Sequence, residues 1–216
     1  MGNNSQDNMK DEPLWLDYAR RLQFIAQAGL TYTDDKYDRE RFRQIREISA
    51  KIMEDYTDME QEKIEDNFSD EIGYPTPKID VRAAIFKDGK ILLVKEKLDG
   101  QWSLPGGWAD IEGSLKENII KESREEAGAE VKPKRIIAIY DRGTKSEETI
   151  SFYGIYKIFV ECDFVEMNFS DNIETSAAEF FQENDLPELS RERNTEREIS
   201  LCFEARKKDV HEADFD

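Results

Sequence analysis

The spacing of apolar residues changes once along the chain, at a run of helix-breaking residues over 73–77. Before this run, residues 13–30 and 36–56 place apolar side chains three or four positions apart, which is typical of helices with one buried face. After it, apolar residues form short runs bounded by Gly, Pro and Asp, which is typical of strands. The chain must therefore fold as two pieces of different class that meet near residue 72.

We expect an all-helical N-terminal domain over 1–72, an α/β domain over 73–207 and a polar, frayed tail over 208–216. A third helix is predicted over 58–68, and Gly29 is the expected end of the first helix. The predicted buried stripe of the first helix is Trp15, Tyr18, Leu22 and Ile25 or Ala26. The predicted stripe of the second helix is Phe42, Ile45, Ile48, Ile52 and Tyr56. In the α/β domain we predict strands over 79–86, 91–96, 101–104, 135–141, 148–162 and 179–181, and helices over 114–127 and 191–207.

The composition describes a highly charged protein that can still form a core. Hydrophobic residues make up 38% and charged residues 37%, but 12 Phe, 8 Tyr and 3 Trp are spread along the chain. No apolar run approaches the about 18 residues of a transmembrane helix, and the polar start predicts no signal peptide. Cys162 and Cys202 form no CxxC motif, so we expect two reduced thiols in a cytoplasmic protein with no membrane partner.

The formal net charge of −18 argues against sequence-independent binding of nucleic acid, which depends on Lys and Arg at phosphates. The charge is uneven, because acids and bases balance over 73–162 whereas both flanks are acidic. A polyphosphate ligand would therefore bind in the central region, with metal ions offsetting its charge.

Residues 104–129 combine a short strand, a tight glycine turn, a loop and a helix that ends at a glycine. Glu122, Glu125 and Glu126 stand at i, i+3 and i+4, so their carboxylates lie within an arc of about 100°. Like charges at this spacing repel, and a hard divalent cation such as Mg²⁺ among them would relieve the repulsion. On these three acids alone a solvated acidic face is the alternative, and the whole string decides against it.

This string resembles the Nudix box, the loop–helix signature of hydrolases that cleave nucleoside diphosphates linked to another moiety. The family pattern is G-x5-E-x7-R-E-U-x-E-E-x-G-U, where U is a bulky aliphatic residue. Gly107 and Gly128 match its glycines, and the three glutamates match its acids. The resemblance implies an α/β fold, the Nudix α/β/α sandwich with a mixed sheet.

The string departs from the family pattern at four positions. The first family Glu falls on Gly113 and the family Arg on Lys121, so both halves of a common ion pair have changed. Ser123 and Ala129 replace bulky U residues. These changes leave the three acids intact and bear on the stiffness of the loop and on the catalytic rate.

A narrower resemblance covers most of residues 13–200. The strings LPGGWAD, GYPTPKIDVRA and NIET…LPELSRERNT, together with the helical extension, resemble a bacterial Nudix group with a helical N-terminal domain. That group includes CDP-choline pyrophosphatase and UDP-X diphosphatase. The loop over 141–149 lacks the His and Pro expected in the group, so its substrates are not carried over.

The resemblance implies hydrolysis of a pyrophosphate bond with Mg²⁺ or Mn²⁺, giving two monophosphates from a CDP-choline, UDP-sugar or ADP-ribose type of substrate. The implied metal ligands are the Gly106 carbonyl, Glu122, Glu125 and Glu126. The candidate catalytic residues are Glu122, Glu125, Lys121 and Glu148, with the general base open among Glu125, Glu147 and Glu148.

Three residues outside the acids are candidates for substrate binding. Arg82 could hold a phosphate through its planar guanidinium or form an ion pair on its strand. Trp102 and Trp108 could stack on a base or pack in the core. The single His is His211, in the tail, so a His-based nucleophilic triad is excluded.

Three functional classes stay open: a nucleotide-conjugate pyrophosphatase, an RNA-directed Nudix enzyme and a catalytically silent Nudix sensor. The acidic flanks oppose the RNA-directed class unless Lys132, Lys134 and Arg135 gather near the site. The intact acids oppose the sensor, whereas Gly113 and Lys121 leave it open. The apolar stripes of the N-terminal helices favour a homodimer.

Overall fold

The computed structural model describes residues 13–57, 64, 73–142 and 154–216. The chain divides into two compact units, Met1–Pro77 with Thr149–Gly154 and Lys78–Glu148 with Ile155–Asp216. The described part of the first unit is helical and the second is a mixed sheet with helices, which confirms the predicted fold class. Within the described residues, no helix combines the length and apolar character needed to span a bilayer.

Two helices pack together in the N-terminal unit, α1 (Leu14–Tyr32) and α2 (Lys36–Tyr56). Asp35 caps α2, since its side chain accepts two backbone N–H groups of the first turn at 2.8 and 2.9 Å. The prediction that Gly29 ends α1 is wrong. A Cβ at Gly29 would lie 2.4 Å from the ring of Phe42, so this glycine allows α2 to approach α1 closely.

The buried face of α1 differs from the predicted one except at Ala26. Its buried residues are Leu16, Ala19, Gln23, Ala26 and Gln27. Tyr18 and Ile25 of the predicted stripe are 52% and 50% exposed, and Ile48 on α2 is 52% exposed. The helices meet partly through small residues, where the Ser49 hydroxyl donates to the carbonyl of Ala19 at 2.6 Å. Of the predicted stripes, Trp15 stacks on Tyr56 with ring centroids 5.3 Å apart.

The third predicted helix, over 58–68, lies outside the described residues except for Ile64. Ile64 is helical and fully buried, in a cluster with Leu16, Ala19 and Met53. The core of this unit therefore includes at least one residue beyond α2.

The described residues of the second unit include one mixed sheet and the helices α3 (Leu115–Ala127) and α4 (Glu196–Arg206). Its strands are β1 (Lys78–Lys87), β2 (Lys90–Glu96), β3 (Trp102–Ser103), β4 (Ala129–Asp141), β5 (Ile155–Met167), β6 (Thr175–Phe181) and β7 (Asp214–Phe215). The strand order is β3-β2-β1-β5-β4-β7, with β6 paired to β2. The β1–β5 and β4–β7 pairs are parallel and the others are antiparallel.

The predicted Asp-Gly hairpin joins β1 to β2. Asp88 and Gly89 both have positive φ, 51° and 75°, which is the conformation of the tight turn that such a pair favours. Lys87 pairs with Lys90 directly across this turn.

Apolar side chains fill both faces of the sheet. Phe86 packs edge-on against Phe203 of α4 with ring centroids 5.3 Å apart, whereas Ile85 belongs to the cluster around Ile119 of α3. Adjacent residues of a strand point to opposite faces, so α3 and α4 cover opposite faces of the sheet. The inward side of α4 is the predicted one, with Ile199 buried beside Phe203.

Both cysteines lie inside this unit and neither forms a disulfide. Cys162 is in β5 and Cys202 is in α4, and each is fully buried. Burial raises the pKa of both thiols above the ordinary value.

Several element ends differ from the sequence prediction. β4 begins at Ala129, well before 135, because register shifts let its first residues pair with the end of β5. α4 begins at Glu196 and not at 191, because Thr195 and Glu198 form a reciprocal cap. The expectation of a frayed tail is wrong, since β7 pairs with β4 at Ala138 and Ile139. The predicted strand over 148–162 is described only from 154, and β5 begins at Ile155.

Candidate active site

The glycine-rich loop before α3 is hydrogen-bonded along β1 as if it were another strand. The N–H of Val81 donates to the carbonyl of Gly107 at 2.8 Å, and the N–H of Ala83 donates to the carbonyl of Pro105 at 2.8 Å. Gly106 lies between these bonds with φ of 145°, and a Cβ there would be 1.9 Å from the carbonyl oxygen of Val81. The close approach therefore requires glycine at 106.

The loop between this segment and α3 is braced by Asn118, which sequence reasoning did not single out. Its Nδ2 donates to the carbonyls of Gly113 at 3.0 Å and of Asp110 and Ser114 at 3.2 Å. Its Oδ1 accepts the N–H of Asp110 at 2.7 Å. A Cβ at Gly113 would lie 3.0 Å from Asn118 Nδ2, so glycine at this position leaves room for the brace.

Lys121 has a carboxylate partner although the family Glu is missing. Its Nζ lies 2.6 Å from Oδ2 of Asp110 and 3.5 Å from Oε2 of Glu125. Hydrogen bonding to Asp110 raises the pKa of Lys121, with help from the charges of Glu125 and Glu122. The ion pair that the sequence lost at 113 is thus replaced by one at Asp110.

Two of the box glutamates are withdrawn from solvent. Glu126 is 5% exposed and its Oε2 accepts the N–H of Gly106 at 2.8 Å. Burial raises its pKa to about 8. The charges of Glu96 and Glu122 also raise this pKa, whereas the charge of Arg82 lowers it. Burial also raises the pKa of Glu122, which is 9% exposed. Glu125 is different, because its side chain is 58% exposed.

These groups line one cavity of about 680 Å³. Its acidic lining residues are Asp80, Glu96, Glu122, Glu125, Glu126, Glu174 and Glu192. Its basic lining residues are Arg82, Lys97, Lys121, Arg142 and Arg193. Gly106, Gly107, Trp108, Leu98 and Ile173 complete the wall.

Two buried ion pairs hold guanidinium groups in this wall. Arg82 Nε donates to Asp80 Oδ1 at 2.9 Å, and Arg82 Nη1 donates to the Leu104 carbonyl at 3.2 Å. Arg193 Nε lies 2.7 Å from Oε1 of Glu96, a carboxylate that is 2% exposed. Both arginines are therefore fixed through Nε.

Most of the residues predicted for the site come together at the cavity. Gly106, Glu122, Glu125, Glu126, Lys121, Arg82 and Trp108 line it. Trp102 does not, because it packs edge-on against Phe181 at 4.8 Å beside the core. Glu147 and Glu148 lie outside the described residues. Lys132, Lys134 and Arg135 are absent from the described lining, and the latter two pair with Glu161 instead.

Sequence reasoning missed seven charged residues of the wall: Asp80, Glu96, Lys97, Arg142, Glu174, Glu192 and Arg193. They come from strands and loops that meet only in the folded sheet. The signal that could have found the last three was the NIET…LPELSRERNT string, which contains all of them.

The site suits a divalent cation that has few protein ligands. Within the described part of the chain, no three Asp, Glu, Cys or His side chains are arranged around one ion position. Mg²⁺ is usually bound by one or two carboxylates, with waters and substrate phosphates completing its shell. Glu122 and Glu126 provide two such carboxylates, and burial raises the pKa of both.

Family models match both parts of the chain. Residues 13–68 match the UDP-X-like, N-terminal oligomerisation domain of Nudix proteins, and residues 76–202 match the NUDIX domain. The latter match spans more than half of the chain.

Named proteins similar to the chain are pyrophosphatases. A Bacillus subtilis protein named "Putative ADP-ribose pyrophosphatase YjhB" is 44% identical over 91% of this chain and 94% of its own length. The crystal structure of an ADP-ribose pyrophosphatase from Streptococcus suis is 44% identical, with a TM-score of 0.60 over 65% of this chain and 100% of its own. The crystal structure of UDP-X diphosphatase is 31% identical, with a TM-score of 0.61 over 94% of this chain and 98% of its own. The chain therefore belongs to the Nudix family and is a Nudix pyrophosphohydrolase.

Proposed function

We propose that the enzyme hydrolyses the pyrophosphate bond of a nucleoside diphosphate linked to another moiety, using Mg²⁺ or Mn²⁺. The observation that supports this most is the meeting of Glu122 and Glu126 with Arg82 and Arg193 in one cavity. Such a cavity offers ligands for a cation and donors for phosphate oxygens. ADP-ribose is the first candidate substrate because two similar proteins carry its name, and UDP-linked compounds are the second.

In the proposed reaction, the oxygen of a water molecule forms a bond to one phosphorus, and the bond from that phosphorus to the bridging oxygen breaks. The bridging oxygen leaves on the second phosphate, so the products are two monophosphates. One proton of the water passes to a carboxylate of the enzyme and then to solvent. A bound divalent cation would neutralise phosphate charge and lower the pKa of the water.

The residues of the box divide this work. Glu122, Glu126 and the Gly106 carbonyl would hold the cation, with Glu125 assisting. Glu125 is also a candidate for the proton acceptor, because it is exposed to the cavity and lies 3.5 Å from Lys121. Lys121, tied to Asp110, would keep that carboxylate in place. Glu148 stays an alternative acceptor.

Two arginines and a tryptophan of the cavity lining would bind the substrate. Arg193 is held through Nε by Glu96, so its terminal nitrogens can donate to phosphate oxygens. Arg82 would face the phosphates from the floor of the cavity while Asp80 fixes its orientation. Trp108 is 50% exposed, and we propose that its ring stacks on the base.

A homodimer through the N-terminal helices is a further part of the proposal. A single copy leaves Tyr18, Ile25 and Ile48 half exposed. Nε of Arg46 is buried and has no hydrogen-bond partner among the residues that the structure describes. A second copy would cover the apolar stripes. Light scattering coupled to size exclusion tests this, and a protein that elutes as a monomer at micromolar concentration contradicts it. The buried free thiols agree with the expected cytoplasmic location.

The substrate class can be tested with a panel of ADP-ribose, UDP-glucose, CDP-choline, dinucleoside polyphosphates and short RNA. Each is incubated with Mg²⁺ or Mn²⁺, and released monophosphates are measured. We expect turnover of ADP-ribose or a UDP-linked compound, and loss of turnover in Glu126→Gln. Full activity of Glu126→Gln contradicts the metal assignment. Absence of turnover on every compound supports the sensor instead, and RNA as the sole substrate supports the RNA-directed class.

A further inference from the structure

The geometry points to Asn172 and Thr175 as positioning residues of the active site. We infer that they hold the C-terminal end of α3, so that Glu125 and Glu126 stay on the cavity wall. The inference rests on the proposed function, because it concerns the same glutamates.

Side chains at the start of β6 and in the loop before it donate hydrogen bonds to the last turn of α3. Thr175, which is fully buried, donates from Oγ1 to the carbonyl of Glu126 at 2.6 Å. Asn172 Nδ2 donates to the carbonyls of Glu125 at 3.1 Å and Glu126 at 3.4 Å. The last four carbonyls of a helix have no partner within it, so these bonds satisfy groups that α3 leaves open.

The loop itself is fixed by short-range bonds. Asn172 Oδ1 accepts the N–H groups of Glu174 and Thr175 at 2.9 and 2.8 Å, and Asn172 Nδ2 also donates to Oγ1 of Thr175 at 2.7 Å. Lys97, at the end of β2, donates from Nζ to Asp171 at 2.6 Å and from its backbone N–H to the Glu174 carbonyl at 2.8 Å. The donors that reach α3 therefore stand on a loop tied to the sheet.

Glu126 is consequently held at two ends. Its carboxylate accepts the N–H of Gly106 and its carbonyl accepts the hydroxyl of Thr175. Without the second bond, the last turn of α3 can shift relative to the glycine loop on β1. Such a shift changes the separation between the Glu126 carboxylate and the Gly106 carbonyl, which are the proposed ligands of one cation. This assigns a role to the NIET segment of the sequence.

The test measures two quantities on the full chain. Binding of Mn²⁺ is measured by electron paramagnetic resonance of the free ion, and hydrolysis of the substrate is measured at varied Mn²⁺ concentration. Thr175→Val removes the hydroxyl and keeps the shape of the side chain. We expect about tenfold weaker binding of Mn²⁺, in line with the effect of removing groups that orient metal ligands. The Mn²⁺ concentration for half-maximal hydrolysis rises by the same factor. Thr175→Ser keeps the hydroxyl and restores both values.

The matched control is Thr195→Val, which removes the hydroxyl that caps α4. It lowers the melting temperature and leaves Mn²⁺ binding unchanged. Wild-type Mn²⁺ binding in Thr175→Val, or equal weakening in both Val variants, overturns the inference. Should Thr175→Val fail to fold, Asn172→Asp takes its place, because it loses the Nδ2 donor and keeps Oδ1. The same weakening of Mn²⁺ binding is then expected, and wild-type binding overturns the inference. A wild-type chain that neither binds Mn²⁺ nor hydrolyses any compound refutes the proposed function instead.

Discussion

Replacing Gly106 by Ala should damage the site more than any other Gly→Ala change in the second unit. The new Cβ would lie 1.9 Å from the carbonyl oxygen of Val81, so the loop must move away from β1. The move breaks the hydrogen bonds from Val81 to Gly107 and from Ala83 to Pro105, each worth about 1 kcal/mol. The φ of 145° adds about 1–3 kcal/mol of backbone strain. We expect a total loss of roughly 3–5 kcal/mol in the free energy of unfolding.

The loss of activity should exceed what the loss of stability alone would cause. Gly106 provides a proposed metal ligand through its carbonyl and binds Glu126 through its N–H. A displacement of about 1 Å at such a site can cost about 100-fold in rate, so we expect a comparable loss of kcat/KM for ADP-ribose or a UDP-linked compound. Unfolding in urea and initial rates at saturating Mn²⁺ provide the two measurements.

Gly100→Ala is the control for strain alone. Gly100 also has positive φ, 73°, but a Cβ there meets nothing within 4 Å. We expect a loss of about 1 kcal/mol and unchanged turnover. The reasoning is refuted when Gly106→Ala is no less stable than Gly100→Ala and retains its activity.

Three further predictions concern other contacts. Lys121→Met should lower kcat by less than tenfold and leave the unfolding free energy nearly unchanged, because its pair with Asp110 is half exposed. Burial alone would raise the pKa of Glu161, but hydrogen bonds from its arginine partners lower it. The stabilisation that the Glu161 carboxylate provides is therefore present above its pKa in the unfolded chain and is lost as the pH falls through its pKa in the folded protein. Urea titrations should accordingly show a stability difference between wild type and Glu161→Gln that shrinks in acid. Trp108→Ala should raise KM with little effect on stability, whereas Trp102→Ala should cost about 3 kcal/mol of unfolding free energy.

The sequence predicted best those elements that are specified by neighbouring residues. The bounds of α2 follow from the Asp35 cap, and the hairpin follows from Asp88-Gly89, because both depend on local hydrogen bonds and φ values. The buried face of α1 was not predictable in this way. Its apolar stripe is real, but the folded unit buries a neighbouring face that includes Leu16 and Ala19. Gly29 serves the close contact with α2 and does not end the helix.

The same division applies to the site. The spacing of Glu122, Glu125 and Glu126 on one helix could be read directly, and all three line the cavity. The sequence could not predict the contribution of three other lining residues, Asp80, Glu96 and Arg193. They reach the cavity through strand pairing and through a loop far along the chain. The brace at Asn118 could not be predicted for a different reason, since its amide bonds to backbone carbonyls of the loop, whose positions the residue pattern does not give.

The inaccessible thiols of Cys162 and Cys202 have a practical consequence for spectroscopy. Alkylating dyes and spin labels react with thiolates, which these two side chains do not readily form. A cysteine introduced at Ile173, 92% exposed at the cavity wall, would be the one site that labels quickly. A fluorophore there would report ligand entry in real time, without first removing the native sulfhydryls.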